Sequence, residues 1–589
     1  MNLDKSNFCK PWKQEYRKLF CVGSLIGILC FLCVYGVRIL DFTYTGWLMN
    51  GDMDLRQHFL GWCHYRSSDW HIPIGLIDTL SYPISVSVIW TDSIPLFAVI
   101  CKLLRGVLPE TFQYFGLFGL ICFALQGGIS ILLVRKYTEN KYICILSVPF
   151  FTLSFTLLQR MYYHTALGAQ WLLLLALLIW FYEERFHTIQ RKCAVWAGMG
   201  FLCVSIHSYF VPMVGLIMMG SLMDAWIGND NENQVRQESS KRSNEKKGLC
   251  IFLKEVGLPV GSYCLAVLFN LFILGAFYQN ASPVGEGIGT FGSNLNTFFN
   301  SLGHSAILQG LPLYNDFQYE GFGYLGAGIL LLLIVVMVRL VRAMVMRKVV
   351  MNREFLMRHR RTALLGLIAV LFCALAVLPM VTAGDVKLFG IPYPGPVKTL
   401  MNIFRSNGRF IWTPMYMIML GVVVMTARAE RYFAVSDGKQ GRTSAILLIT
   451  VAVLIQIIDV SKMAGEKRDY FAENMHTYQP VWDTLDAETA RKIADADHFV
   501  FMYDENDWIM DTAYFAYYHG MTQNNYYYAR SYAERIGSVI EDYRQELEQG
   551  AVRDDTIYIF RQQDVEGLTY EGMTLDVLGD HVIGIKNEQ

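Results

Sequence analysis

The sequence predicts a polytopic α-helical membrane protein with a small α/β unit at its C-terminal end. Three observations predict it. Hydrophobic residues fill 53% of the 589 positions and charged residues only 17%, against about 45–50% and about 25% in soluble domains. About eleven apolar runs approach the ~20 residues that a bilayer core demands of a helix. After residue 460 the pattern changes to short β-rich segments set among polar residues.

The remaining composition removes other classes. Lys+Arg 50 against Asp+Glu 51 leaves a net charge of -1, which excludes a basic nucleic-acid footprint and an acidic disordered chain. The 13 cysteines lie mostly in apolar runs and none follows Cys373, so a disulfide framework is not expected. The one CxxC, Cys30 and Cys33, sits inside the first apolar run without a second pair and makes a poor metal site.

The runs fall at 20–40, 111–134, 142–160, 165–182, 193–206, 208–227, 250–275, 322–344, 363–382, 410–427 and 443–460. The pair at 193–227 reads either as one long helix or as two short ones around His207. Lys5, Lys10, Lys13, Arg17 and Lys18 precede the first run, so the positive-inside rule puts the N-terminus in the cytoplasm. No small-residue cleavage site follows that run, which therefore reads as an anchor. Alternation then makes 135–141, 183–192, 228–249, 345–362 and 428–442 inside loops, and each carries Lys or Arg. The scheme requires that 85–108 not cross. With Asp92, Pro95, Lys102 and Arg105, that segment reads as a helix lying along the outer surface.

The outer side then holds 41–110, 276–321, 383–409 and the tail. The expected domains are a membrane unit, 1–460, and a soluble extracytoplasmic α/β unit, 461–589. In the tail, 498–504 and 556–562 read as strands. Between them 531–549 reads as an amphipathic helix with Ile536, Val539, Ile540, Tyr543 and Leu547 as its apolar stripe. The last fifteen or so residues read as a hairpin turning at Gly579-Asp580. The aromatic stretch 514–532 suits either a packed surface or the stacking of sugar rings.

Ionisable groups concentrate in the first outer loop, NGDMDLRQHFLGWCHYRSSDWHIPIG. Asp52, Asp54, Arg56, Gln57, His58, Arg66, Asp69, Trp70 and His71 crowd the membrane surface, where such groups line polar cavities. Asp54 and His58, spaced i and i+4, share a helix face. Asp52 and Asp54 can hold a divalent cation such as Mg2+ or Mn2+ against phosphate oxygens, or one of them can serve as a general base. The plain alternative is a helix cap and a solvated loop.

This order of parts resembles the C-type (GT-C) integral-membrane glycosyltransferases. The pattern DxxQHxxGWxxYRxxxWxxPxG, here Asp54, Gln57, His58, Gly61, Trp62, Tyr65, Arg66, Trp70, Pro73 and Gly75, resembles a largely uncharacterised bacterial subfamily of them. TDSIPLFAVICKLL (91–104), EGFGYLGAGILLLL (320–333) and FRSNGRFIWTPMY (404–416) extend the likeness. It implies a plasma-membrane enzyme of the cell envelope. Such enzymes take sugar from a polyprenyl-phosphate donor, use an Asp in the first outer loop, and pass it to a glycan, lipid or protein acceptor.

Other segments supply candidate helpers. His164 falls in a short turn between two runs, as a capped turn residue or an acid/base helper. Arg405 and Arg409 stand at the mouth of a run, as phosphate ligands or snorkelling anchors. Glu320 reads as a partner carboxylate or a loop charge, and Asp92 as a site acid or an N-cap. Asp54, Asp52 and His58 are thus the expected catalytic groups. Arg56, Gln57, Arg66, Trp70, Asp92, His164, Glu320, Arg405 and Arg409 are the expected substrate contacts. The favoured reading is an inverting transfer from the lipid-linked sugar. The alternative is a non-catalytic transporter or flippase of lipid-linked saccharides. Transporters place their charged sites near midplane, whereas here the acids gather outside the runs. A membrane polymerase or acyltransferase of surface glycans is a third class.

Overall fold

A computed structural model describes residues 5–186, 188–236, 249–278, 287–346, 359–428, 439–485, 487–504, 508–528 and 532–587. Among these, nine helices are long and apolar enough to cross a membrane: Gln14–Tyr35, Phe115–Arg135, Lys141–Arg160, Phe210–Gly228, Leu249–Ile273, Ala327–Val345, Arg360–Val377, Asn407–Ala427 and Thr443–Glu473. Many apolar helices of this length make a multi-pass membrane protein. The basic residues expected at 241–247, 347–358 and 431 lie outside the described residues.

The two other expected spans are helical but fall short. Thr165–Phe181 opens as a single 3-10 turn before the eleven-residue helix Trp171–Phe181. Ile189–Ile206 carries Arg191 and Lys192 in its first turn. The 193–227 stretch is two helices, because His207 adopts an extended backbone between Ile206 and Phe210. The 85–108 segment differs most from expectation. It holds the end of a hairpin, a 3-10 turn at Val88–Thr91, and a helix of only nine residues, Pro95–Leu103. Proline is favoured at a helix start, and left-handed Asp92 and Ile94 break the chain just before it.

Polar bonds knit the apolar helices together, as expected where hydrophobic contrast between helices is absent. Gln126 donates to the hydroxyl of Tyr416 at 2.9 Å, and that hydroxyl donates to Gln170 at 2.6 Å. Asp224 accepts from Arg360 at 3.0 Å, from Arg361 at 2.7 Å and from Trp180 at 3.2 Å, tying three helices at one end.

Two hairpins sit between helices: β1 (Leu76–Ser81) with β2 (Ile84–Ser87), and β3 (Met380–Ala383) with β4 (Val386–Gly390). The tail forms a five-stranded sheet. Its strands are β5 (His498–Phe501), β6 (Thr522–Gln523), β7 (Thr556–Arg561), β8 (Met573–Leu578) and β9 (His581–Lys586), in the order β6-β5-β7-β9-β8. β5 runs parallel to β6 and β7, while β9 is antiparallel to β7 and β8. The helix Ala533–Glu548 buries Ile536, Val539, Ile540, Tyr543 and Leu547. The tail docks on the first hairpin. The Tyr82 amide donates to the Gln523 carbonyl at 2.8 Å, the Tyr82 ring stacks on His498 at 4.1 Å, and Ser81 and Tyr528 join hydroxyls at 2.5 Å.

Candidate functional site

The helix Met53–Ser67 begins where Asp52 caps it, Oδ1 accepting the Leu55 amide at 3.0 Å. A carboxylate at the cap satisfies an otherwise orphan N–H. Its first turn carries Asp54 into a cavity of about 1210 Å³. Across that cavity, the turn after Phe155–Arg160 presents His164, whose Nδ1 lies 3.2 Å from Oδ2 of Asp54. The other ring nitrogen, Nε2, lies 3.5 Å from Oε1 of Glu320.

Two arginines hold Glu320. Arg409 grips it bidentately, Nε to Oε2 at 2.7 Å and Nη2 to Oε1 at 3.0 Å. Arg160 reaches Oε2 at 2.9 Å from a side chain that is 0% exposed. The 3-10 turn Asp316–Gly321 and the turn around Gly408 are pressed together, since a Cβ on Gly408 would lie 2.6 Å from the Gly321 Cα. Glycine there permits the backbone approach that brings Glu320 to Arg409.

The electrostatics follow from this layout. Burial opposes ionisation of Glu320, but Arg160 and Arg409 outweigh it and hold the carboxyl well below its usual range. Burial, then the charges of Asp52 and Asp92, push Asp54 up to about 7. Burial pulls His164 down to about 4, against the raising contact with Glu320. A neutral imidazole has one N–H to share between two carboxylates. When Asp54 carries a proton it can donate it to Nδ1, with Nε2–H facing Glu320.

On the neighbouring wall, Asp92 Oδ1 lies 3.5 Å from Nε2 of His207. Arg405 is exposed to the cavity, its guanidinium 5.5 Å from the Phe291 ring centroid. The tail supplies Tyr527 and Tyr532. Gln57 fixes this wall, its amide donating to the Tyr527 carbonyl at 2.8 Å while the Tyr526 hydroxyl donates to the Gln57 carbonyl at 2.9 Å. Tyr163 and Tyr319, hydroxyls 3.4 Å apart, stand beside a second, more open groove of about 640 Å³ that also meets Gln159, Asp316 and Lys467.

Of the residues nominated from sequence, Asp54, Gln57, Asp92, His164, Glu320, Arg405 and Arg409 line the cavity. Five others do not. Asp52 is a cap. Buried His58, four residues after Asp54 on the same helix, meets Thr165 at 3.3 Å instead of lining the cavity. Arg56 donates to the Gly51 carbonyl and lies over Tyr478. Arg66 clamps the carbonyls of Leu108, Pro109 and Glu110, and Trp70 lies against the Lys102 ammonium. Arg409 lines the cavity with its bidentate fork engaged by Glu320. Asp92 is no helix N-cap: it closes the 3-10 turn, and Ile94 precedes the helix.

The motif in the first loop is chiefly scaffold. Trp62 donates to the Phe112 carbonyl and Tyr65 to the Ile74 carbonyl. Among the described residues no three His, Cys, Asp or Glu side chains group as a metal site, and Asp52 and Asp54 point to different partners. With Asp52 spent on the helix cap, Asp54 is the one carboxylate of that pair that lines the cavity. Sequence reasoning missed Arg160, His207, Tyr209 and Tyr319. An Arg ending one apolar run and a His splitting another are the available signals, since ionisable groups in apolar segments mark function.

No curated protein matches the chain. Among solved structures, it is similar to the archaeal oligosaccharyltransferase AglB from Archaeoglobus fulgidus in complex with an inhibitory peptide and a dolichol-phosphate, at 10% identity and a TM-score of 0.39, covering 94% of this chain and 70% of that one. The family model described as domain of unknown function DUF6311 matches residues 24–461, and that of the DUF6311 C-terminal domain matches 482–586. The chain belongs to the DUF6311 family.

Proposed function

We propose that this protein transfers a sugar from a polyprenyl-phosphate carrier to a hydroxyl acceptor at the outer face of the plasma membrane. The N-terminus is cytoplasmic in this reading and the tail extracytoplasmic. The single observation that carries it is Asp54, brought to about 7 and paired with His164 inside the large cavity. A carboxylate poised near working pH is suited to take a proton in the transition state. The acceptor hydroxyl attacks the anomeric carbon and its proton passes to Asp54. The bond between that carbon and the phosphate oxygen breaks, and the pair of electrons leaves on the polyprenyl phosphate. Attack opposite the leaving group inverts the anomeric centre. Arg405 faces the departing phosphate, and fixed positive charge there stabilises the transition state. Arg409 and Arg160 act through Glu320 and His164. The second groove, beside Tyr319, gives the acceptor its approach.

The test is reconstitution in nanodiscs with a polyprenyl-phosphate sugar, reading release of polyprenyl phosphate. The parent is expected to release it and Asp54→Asn is not. Movement of the intact carrier between leaflets without cleavage would overturn the transferase reading in favour of transport.

A further inference from the structure

The chain from β4 to the cavity stands largely clear of the protein, although both of its ends are clamped. At the entry, Asn294 holds the hairpin turn. Its Nδ2 donates to the Gly384 carbonyl at 2.8 Å and its Oδ1 accepts the Gly384 amide at 3.0 Å. The Ile391 amide donates to the Pro379 carbonyl at 2.8 Å. At the exit, buried Asn407 donates to the carbonyls of Leu375, Ala376 and Leu378, where the span Arg360–Val377 ends. Between these clamps Val386, Leu388, Phe389, Ile391, Val397 and Leu400 are each between 41% and 58% exposed. Side chains alternate along a strand, so both faces of β4 are bare. Large apolar side chains held out in this way by fixed ends mark an interaction surface.

Three features name the occupant as lipid. The surface continues the outer face of the span Arg360–Val377, whose Leu367, Val370 and Leu371 are exposed and which ends just before β3. Lys387 and Lys398 stand exposed among the apolar groups. Their stems can lie along acyl chains while the ammonium groups reach lipid phosphates. The acid nearest to them, Asp385, stays at the hairpin turn. The backbone also suits the headgroup boundary. Pro392, Pro394 and Pro396 carry no N–H to desolvate. The outer edge of β4 pairs with no other strand among the described residues, and it needs polar partners that the hydrocarbon core lacks. Beyond this stretch the chain runs straight into Ile403, Phe404 and Arg405, which line the cavity.

We propose that residues 386–400 are an arm seated at the acyl–headgroup boundary of the outer leaflet, and that it forms the sill over which a lipid-borne substrate passes from the bilayer to Arg405. The seating stands on the exposed arm alone. The sill rests on the transferase reading and deepens it, because it makes the carrier's lipid chain a determinant of use.

The experiment places the full chain in nanodiscs of phosphatidylglycerol and phosphatidylcholine, doped with a phospholipid that bears a diazirine high on one acyl chain. After photolysis, adducts are located by mass spectrometry. They are expected within 386–400 and on the exposed face at 367–371, and not on the tail helix Ala533–Glu548. Adducts on the span with none on the arm overturn the seating. So does a two-chain product from a lysine crosslinker at Lys387 or Lys398, which assigns the surface to a second copy. The double variant Leu388→Asp with Leu400→Asp is expected to lose the arm adducts while melting like the parent. Its KM for a long-chain polyprenyl-phosphate sugar is expected to rise about tenfold or more, as two apolar side chains leave the lipid. Its KM for a citronellyl-phosphate sugar, short enough to arrive through water, is expected to match the parent's. Equal changes on both carriers, or none on either, overturn the sill. A parent that cleaves neither carrier overturns the transferase reading and the sill with it, while the adducts still decide the seating.

Discussion

His164 stands between Asp54 and Glu320, its Nδ1 3.2 Å from one carboxylate and its Nε2 3.5 Å from the other. One imidazole therefore links a carboxyl that ionises near neutrality to a second that two arginines keep charged.

The first consequence is a pH profile. Asp54 carries its proton below about 7 and loses it above, while His164, at about 4, stays neutral across that range. The base form thus appears as pH rises, and kcat/KM should climb through pH 7 and level off above it. Asp54→Asn should lower turnover by about 10²–10⁴-fold with unchanged thermal stability. A flat profile between pH 5.5 and 8.5 would remove Asp54 from the proton transfer.

Glu320 is a structural keystone. Replacing it with Gln strands two guanidinium groups, one 0% and one 9% exposed. Removing one partner of a buried ion pair costs about 3–5 kcal/mol. Glu320→Gln should therefore lower the melting temperature and the yield of folded protein. Parent-like thermal unfolding in detergent would show that the cluster is solvated.

The two arginines of FRSNGRF should separate. Arg405→Ala should weaken donor turnover by about ten- to a hundredfold, for a lost charge-assisted contact of roughly 1.5–3 kcal/mol, and leave stability alone. Arg405→Lys should be partly active, since it keeps the charge without the fork. Arg409→Ala should instead lose stability together with activity. Melting curves and turnover on the same preparations distinguish the two, and identical behaviour would contradict the pairing with Glu320.

The tail wall depends on Gln57. Gln57→Leu leaves the part-buried Tyr527 carbonyl without its donor, a cost of about 1 kcal/mol. Limited proteolysis should then cut between residues 474 and 530 faster than in the parent, while the membrane helices stay protected. Unchanged cleavage rates would mean that the hairpin contacts alone hold the tail.

Sidedness is tested by reporter fusions after residues 240, 350 and 589. Cytoplasmic signals are expected at the first two positions and an external one at the last, following the basic loops. A cytoplasmic signal at 589 would invert the scheme and put the cavity on the wrong side for a lipid-linked donor.

What the sequence by itself determined is local. Apolar length marks a span because a helix must satisfy its own backbone in lipid, so nine of the runs could be read directly. The tail strands and the apolar stripe from Ile536 to Leu547 were legible for a different reason, since burying one face of an element imposes its period on the apolar residues. Asp54 was reachable as the acid in the densest polar loop. Its partner was not: spacing pointed to His58, four residues on, whereas packing turned His58 towards Thr165 and brought in His164 from a different turn. Only the tertiary structure paired Glu320 with Arg409, set Asp92 against His207, and folded Tyr527 from the tail over the cavity. Those contacts join segments far apart in the chain, and they are chosen by how helices and hairpins pack, for which no local pattern of residues exists.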